Sequence, residues 1–141
     1  MDDYRFTVPI EIRYGDLDPQ GHVNNAKHLT YFEQARVQYL IELGLFSTDQ
    51  SFMEIGVIVA DAQITYLAPI RYGQKIRAGA RAVKLGNKSI TMAQNIVDAT
   101  TGEALATGGV VMVAYDYRSK QTISVPEEWR KKIRAYEGIK E

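Results

Sequence analysis

Residues 25–44 read NAKHLTYFEQARVQYLIELG, and their spacing decides the fold. Leu29, Phe32, Tyr39, Leu40 and Leu43 fall on one stripe with Lys27, Thr30, Gln34 and Gln38 opposite, which predicts an amphipathic helix from about Asn25 to Leu43. Gly44 supplies its C-terminal stop. At about 1.5 Å per residue this helix is roughly 30 Å long, and it is the only long apolar helix in the chain. Arg36 sits inside the apolar stripe. A buried guanidinium calls for a carboxylate, and Asp16, Asp18 and Glu33 are the candidates, with Glu33, three residues before it, favoured as an ion pair.

On both sides of this helix the pattern is that of strands. Upstream, Tyr4, Phe6, Val8, Ile10, Ile12 and Tyr14 alternate with Arg5, Thr7, Glu11 and Arg13, a half-buried strand whose Pro9 cannot donate to a ladder and so marks an unpaired edge. Downstream, residues 47–55 read as a short helical or irregular connector with Ser47 or Thr48 as N-cap. Strands are then predicted over Gly56–Ala68, Lys75–Leu85, Ser89–Ala99 and Glu103–Tyr117. The joints at 85–88 and 98–102 are too short for parallel crossovers, so the pairing is antiparallel. A slip in parity from Ile76, Ala78 and Ala80 to Val83 and Leu85 predicts a bulge. The run Val110–Ala114 is apolar on both faces and belongs in a central or interface-forming strand. Pro126–Ile139, with Glu127, Glu128, Lys131 and Lys132, reads as a polar terminal helix. The order β-loop-α-ββββ-α is that of an α+β protein: residues 1–141 as a single domain, one antiparallel sheet curled around one central helix.

The composition narrows the function. Lys plus Arg and Asp plus Glu each number 17, a balance that argues against binding nucleic acid or a membrane surface through overall charge. There is no cysteine, which removes disulfides, thiolate metal sites and cysteine nucleophiles. Met1–Arg5 shows no basic region followed by an apolar run, so the expected location is the cytoplasm.

The chemistry-bearing segment is the loop before the helix, Gly15-Asp16-Leu17-Asp18-Pro19-Gln20-Gly21-His22-Val23-Asn24-Asn25. Two aspartates lie beside a helix start, whose unpaired N–H groups and partial positive charge favour a negative oxygen. A thioester carbonyl resting there can be attacked by a nearby carboxylate or by a water that the carboxylate deprotonates. Taken alone, Asp and Asn at such a place are most often caps and turn formers. A calcium loop fails because Lys27 stands where a bidentate glutamate belongs, and His22 and His28 lack a zinc ligand pattern. No Gly-x-Ser-x-Gly or phosphate-binding glycine motif is present; Gly108-Gly109 is an isolated pair inside a strand. Lys84 and Lys88 flank a turn and read first as solvated hairpin charges.

Arg13 to Asn25, Tyr31-Phe32-Glu33-Gln34-Ala35-Arg36 and Tyr66-Leu67-Ala68-Pro69 with Gly73 together resemble the 4-hydroxybenzoyl-CoA thioesterase branch of the hotdog-fold acyl-CoA thioesterases, in the same order and over residues 4–118. His22-Val23-Asn24-Asn25 also resembles plant acyl-carrier-protein thioesterases. The resemblance implies a hotdog fold, a homodimer or homotetramer with sites at the dimer interface, and hydrolysis of an acyl-CoA or acyl-carrier-protein thioester without metal or cofactor. It implies Asp18 as the catalytic carboxylate and the backbone N–H of Asn25 as the group that polarises the carbonyl. Asp16 is left as a cap or as the partner of Arg36. His22, Asn24, Glu33, Lys88 and Ser89 are the expected substrate-binding residues, with Lys88 and Ser89 matching a nucleotide-contacting turn. The competing readings are a non-catalytic acyl-thioester-binding hotdog protein and a hotdog hydratase or dehydratase.

Overall fold

A computed structural model describes residues 4–47, 49 and 55–139. The chain runs β1 (Thr7–Ile10), a 3-10 turn (Tyr14–Asp16), α1 (Asn25–Glu42), β2 (Ile55–Tyr66), β3 (Ile76–Leu85), β4 (Ser89–Asp98), β5 (Ala104–Asp116), β6 (Gln121–Thr122) and α2 (Glu127–Glu137). Every pairing is antiparallel, in the order β1-β3-β4-β5-β2, with β6 added to β5. This is the α+β sheet-and-helix architecture expected from the sequence. The bulge is there too, as a register shift between Ala82 and Lys84. Most of the expected connector, residues 48 and 50–54, lies outside the described residues, as does the Thr48 N-cap.

Local chemistry explains where α1 begins and ends. Asn24 caps it, its Oδ1 accepting from the Ala26 N–H at 2.9 Å. Gly44, at φ +77, takes the left-handed conformation that closes the last turn, and the Leu45 N–H reaches back to the Leu40 carbonyl at 2.8 Å. Between these ends α1 buries Phe32, Ala35, Tyr39 and Leu40 against a sheet whose β3, after Ile76, offers Ala78, Ala80 and Ala82 on its buried face. Small side chains on the strand let the large ones on the helix approach closely. Burying Phe32 or Leu40 contributes about 1.5–3 kcal/mol each.

Three expectations about packing are corrected. Leu29, placed on the apolar stripe, is 41% exposed, whereas His28 and Tyr31 are buried. The reason is that α1 packs mainly over β1, β3 and β4 and leaves β2 at the rim of the sheet. Ile58 and Val59 of β2 are correspondingly exposed. Tyr14 falls in the 3-10 turn and is exposed, since β1 ends at Ile10. The terminal helix is not polar throughout: α2 buries Trp129 and Ile133, and Glu137 accepts from the Tyr39 hydroxyl at 2.6 Å. β1 forms the other rim, so Pro9 does stand on an unpaired edge.

Arg36 is buried, but none of its anticipated carboxylate partners pairs with it. Its Nη1 donates to Gln94 Oε1 on β4 at 3.2 Å, and the Gln94 amide in turn donates to the Phe32 carbonyl at 2.8 Å. Glu33 is exposed and contributes only a distant attraction, while burial pulls the Arg36 pKa below its ordinary value. With no carboxylate to strand, Arg36→Met loses one hydrogen bond and relieves a buried charge of similar volume. The expected change in unfolding free energy is under about 1.5 kcal/mol. A denaturant titration that gave a loss of about 3–5 kcal/mol would restore a carboxylate partner.

Candidate active site

The loop from Tyr14 to Asn24 folds back on itself through its own backbone. The Asp18 N–H donates to the His22 carbonyl at 2.8 Å, the Gly21 N–H to the Asp18 carbonyl at 3.0 Å, and the Asn24 N–H to the Asp16 carbonyl at 2.8 Å. Buried Val23 anchors it, with its N–H on the Ile70 carbonyl at 2.8 Å. These bonds bring the loop against the segment that follows β2. Between them lies a cleft of about 340 Å³ lined by Asp18, Gln20, His22, Val23, Asn25, His28 and residues 66–70.

The two aspartates occupy different environments. Asp16 is 1% exposed and fully engaged: Tyr31 donates to Oδ2 at 2.7 Å, the Arg13 N–H to the same oxygen at 3.1 Å, and the Arg13 guanidinium to Oδ1 at 3.3 Å. Burial pushes its pKa up, but these hydrogen bonds and the Arg13 charge together hold it below the ordinary 3.8. It is a structural group that closes the 3-10 turn and ties the loop to α1, and it does not meet Arg36. Because the folded-state pKa is depressed, the stabilisation is complete above about pH 4 and is lost as pH falls through the folded value. Asp16→Asn is therefore expected to lower the melting temperature at pH 7 and to narrow its difference from the wild type towards pH 3. A difference that stayed constant over that range would show that the carboxylate charge carries none of it.

Asp18 keeps one oxygen for the loop and one for other work. Oδ1 accepts from the Gln20 N–H at 2.9 Å and the His22 N–H at 3.2 Å. Oδ2 makes no hydrogen bond or ion pair with any described residue. At the helix start, the Ala26 N–H is taken by the Asn24 side chain and the Lys27 N–H by the Asn24 carbonyl at 2.8 Å. The Asn25 N–H has no partner among the described residues. Asp18, with an unbonded carboxylate oxygen, and Asn25, with an N–H unpartnered among the described residues, thus line one cleft, and such a pair of groups is what attack on a carbonyl carbon requires.

The other anticipated residues divide. His22 joins Asp18 and Asn25 in the cleft. Asn24 is exposed and occupied as the helix cap, and Glu33 is exposed two turns along α1; neither lines the cleft. Lys88 and Ser89 lie at the opposite end of the sheet. The row Val8, Ala78, Ile96, Ala106, Tyr66 runs beside the cleft, whereas Lys88 adjoins Ala114, which pairs with Val57, nine residues from Tyr66 and about 30 Å away by strand rise. Lys88 Nζ is 3.2 Å from the Thr122 hydroxyl. His28 and Tyr66 are among the lining residues that the sequence does not single out for the site. Their rings meet edge-on at 4.8 Å and 84°. The available signal was position: His28 is three residues past Asn25, on the same face of the helix.

The family model described as the thioesterase-like superfamily matches residues 12–133. The chain belongs to this superfamily. Membership places it among the thioester hydrolases. A thioesterase from Thermus thermophilus, solved with coenzyme A and zinc, shares 34% identity, covers 100% of both chains and superposes with a TM-score of 0.85. The long-chain acyl-CoA thioesterase FadM of Escherichia coli K12 is 26% identical over 88% of this chain and 93% of its own. The acyl-CoA thioesterase YbgC of Haemophilus influenzae is 26% identical over 91% of this chain and 93% of its own. Among the described residues, no helix is long and apolar enough to cross a membrane.

Proposed function

We propose that the protein is an acyl-CoA thioesterase in which Asp18 and the Asn25 N–H act on opposite sides of the reacting carbonyl. The observation that carries this reading is the cleft lined by both Asp18, which has an unbonded carboxylate oxygen, and Asn25, whose helix-start N–H is unpartnered among the described residues. The Asn25 N–H donates to the thioester oxygen as that oxygen takes on negative charge. One such donor is worth about 2.7–4 kcal/mol in the transition state. Asp18 supplies the other half in one of two ways. It attacks the carbonyl carbon, expelling the thiolate to leave an anhydride that water then cleaves, or it takes the proton of a water that attacks in its place. By either route one water is consumed, the C–S bond breaks, and the products are the free acid and the thiol. The names of the two curated relatives and the coenzyme A held by the Thermus relative support coenzyme A as the carrier.

Assembly is part of the same proposal. One edge of β2 has no strand beside it among the described residues, and Ile58, Val59, Leu29 and Val37 are exposed. A second copy of the chain, paired through β2, would cover these apolar groups and bring its own Lys88 turn to a neighbour's cleft. Val59→Lys is expected to halve the mass seen by sedimentation; an unchanged mass would place the contact elsewhere. The function is tested by release of free thiol from a panel of aromatic, short-chain and long-chain acyl-CoAs, with an acyl-carrier-protein thioester included. Turnover of at least one class is expected, and its absence across the panel would overturn the proposal in favour of a binding protein.

A further inference from the structure

We propose that His28 and Tyr66 form a clamp on the two peptide groups flanking Asn25, fixing the direction of its N–H towards the thioester carbonyl. This rests on the role given above to the Asn25 N–H and adds two positioning residues to it. The Tyr66 hydroxyl reaches across from the end of β2 and donates to the Asn25 carbonyl at 3.0 Å. His28 Nδ1 lies 3.3 Å from the Asn24 carbonyl, and because a carbonyl can only accept, Nδ1 carries the proton. The Asn24 carbonyl and the Asn25 N–H are the two ends of a single peptide unit. One aromatic side chain therefore holds the peptide before Asn25 and the other holds the peptide after it, and the two rings brace each other edge-on at 4.8 Å.

Neither bond is needed to make a helix. The Asn24 carbonyl already accepts from the Lys27 N–H at 2.8 Å, and helical pairing gives the Asn25 carbonyl the N–H four residues further on. The side-chain donors are additional to that pairing, and both converge on Asn25, whose own N–H has no partner among the described residues. Two effects follow. A peptide held at its oxygen cannot swing its N–H away from the cleft. Each donor on the Asn24 oxygen also draws electron density along the peptide and makes the Asn25 N–H a stronger donor in turn. Burial lowers the pKa of His28 from its ordinary 6.5, so the ring is neutral at pH 7 and Nε2 keeps its lone pair.

The test compares Tyr66→Phe, His28→Leu and His28→Asn in the full chain, the last retaining an N–H close to where Nδ1 stands. Tyr66→Phe and His28→Leu are each expected to lower kcat about tenfold with KM nearly unchanged, a part of the loss that removing an oxyanion donor outright brings. His28→Asn is expected to keep most of kcat. The carbonyl stretch of an acyl-CoA bound to Asp18→Asn gives the direct readout. It should move to lower frequency on binding, and adding Tyr66→Phe to that variant should move it part of the way back. No shift in Asp18→Asn itself would overturn the role of the Asn25 N–H and the clamp with it. A shift that Tyr66→Phe and His28→Leu both leave in place, or kcat values that they leave unchanged, would overturn the clamp alone. Tyr66→Phe removes a single oxygen from a half-exposed side chain, so the test survives if His28→Leu fails to fold.

Discussion

Asp18→Asn is expected to slow thioester hydrolysis a hundredfold or more while the fold is kept, in line with the roughly 10²–10⁴-fold share of a positioned acid–base group. The substitution separates the two oxygens of the side chain. Oδ1 of asparagine can still accept the Gln20 and His22 N–H groups, so the loop keeps its shape. The oxygen that carries no bond in the folded protein becomes an amide nitrogen, neither a base nor a nucleophile at neutral pH. The measurement is kcat/KM on whichever acyl-CoA the panel identifies, with a thermal melt run beside it. A melt unchanged within a degree or two together with the rate loss supports the chemical role. A large fall in melting temperature with little loss of rate would instead make Asp18 a loop-forming residue of the same kind as Asp16.

The largest expected effect on stability comes from Gly108→Ala. A Cβ at position 108 would stand 2.1 Å from the Gln63 carbonyl oxygen of β2 and 2.9 Å from the Phe32 ring of α1. The first of these atoms is backbone and cannot turn aside, so β5 must part from β2 or from the helix. Overpacking of this kind costs about 1–3 kcal/mol, and the backbone clash puts Gly108→Ala at or above the top of that range. A fall in melting temperature on the order of 10 °C follows for a chain of this size. Gly102→Ala is the control. Position 102 has open space around it but sits at φ +81, so only backbone strain of about 1–2 kcal/mol is added. Equal losses at the two positions would mean that β5 relaxes around the added methyl group.

Gly108 also illustrates what the sequence does and does not make legible. Its place within a strand was readable from the apolar residues after it, but the need for glycine was not, because that need arises where β2, β5 and Phe32 meet from three distant parts of the chain. The hairpins, the bulge after Ala82 and the start and stop of α1 were readable for the opposite reason: each is set by residues a few positions apart. Arg36 shows the limit most plainly. Its burial could be read from the helical stripe, while its partner, Gln94, lies 58 residues away and carries no charge to suggest it. Leu29 fails similarly, since periodicity identifies the face of a helix but not whether a sheet covers it. In the candidate site the loop and its aspartates stood out by composition and resemblance. Asp16 and Asp18 were separated from each other by that resemblance, and the structure adds a physical distinction, one being saturated with donors and the other half free. His28 and Tyr66 were visible only as a helix-face residue and a family landmark, because their meeting needs the last residue of β2 brought to the start of α1.

On the proposed pairing of two copies through β2, the rim of that strand, which has no neighbouring strand among the described residues, stays open until the second copy arrives. A row of unsatisfied backbone groups with valine and isoleucine beside it is a template for any extended segment, and unrelated nascent polypeptide competes for it. Dilute preparations should accordingly lose material to clumping faster than concentrated ones, the reverse of ordinary colloidal behaviour, and heat resistance should climb with the amount of protein in the tube.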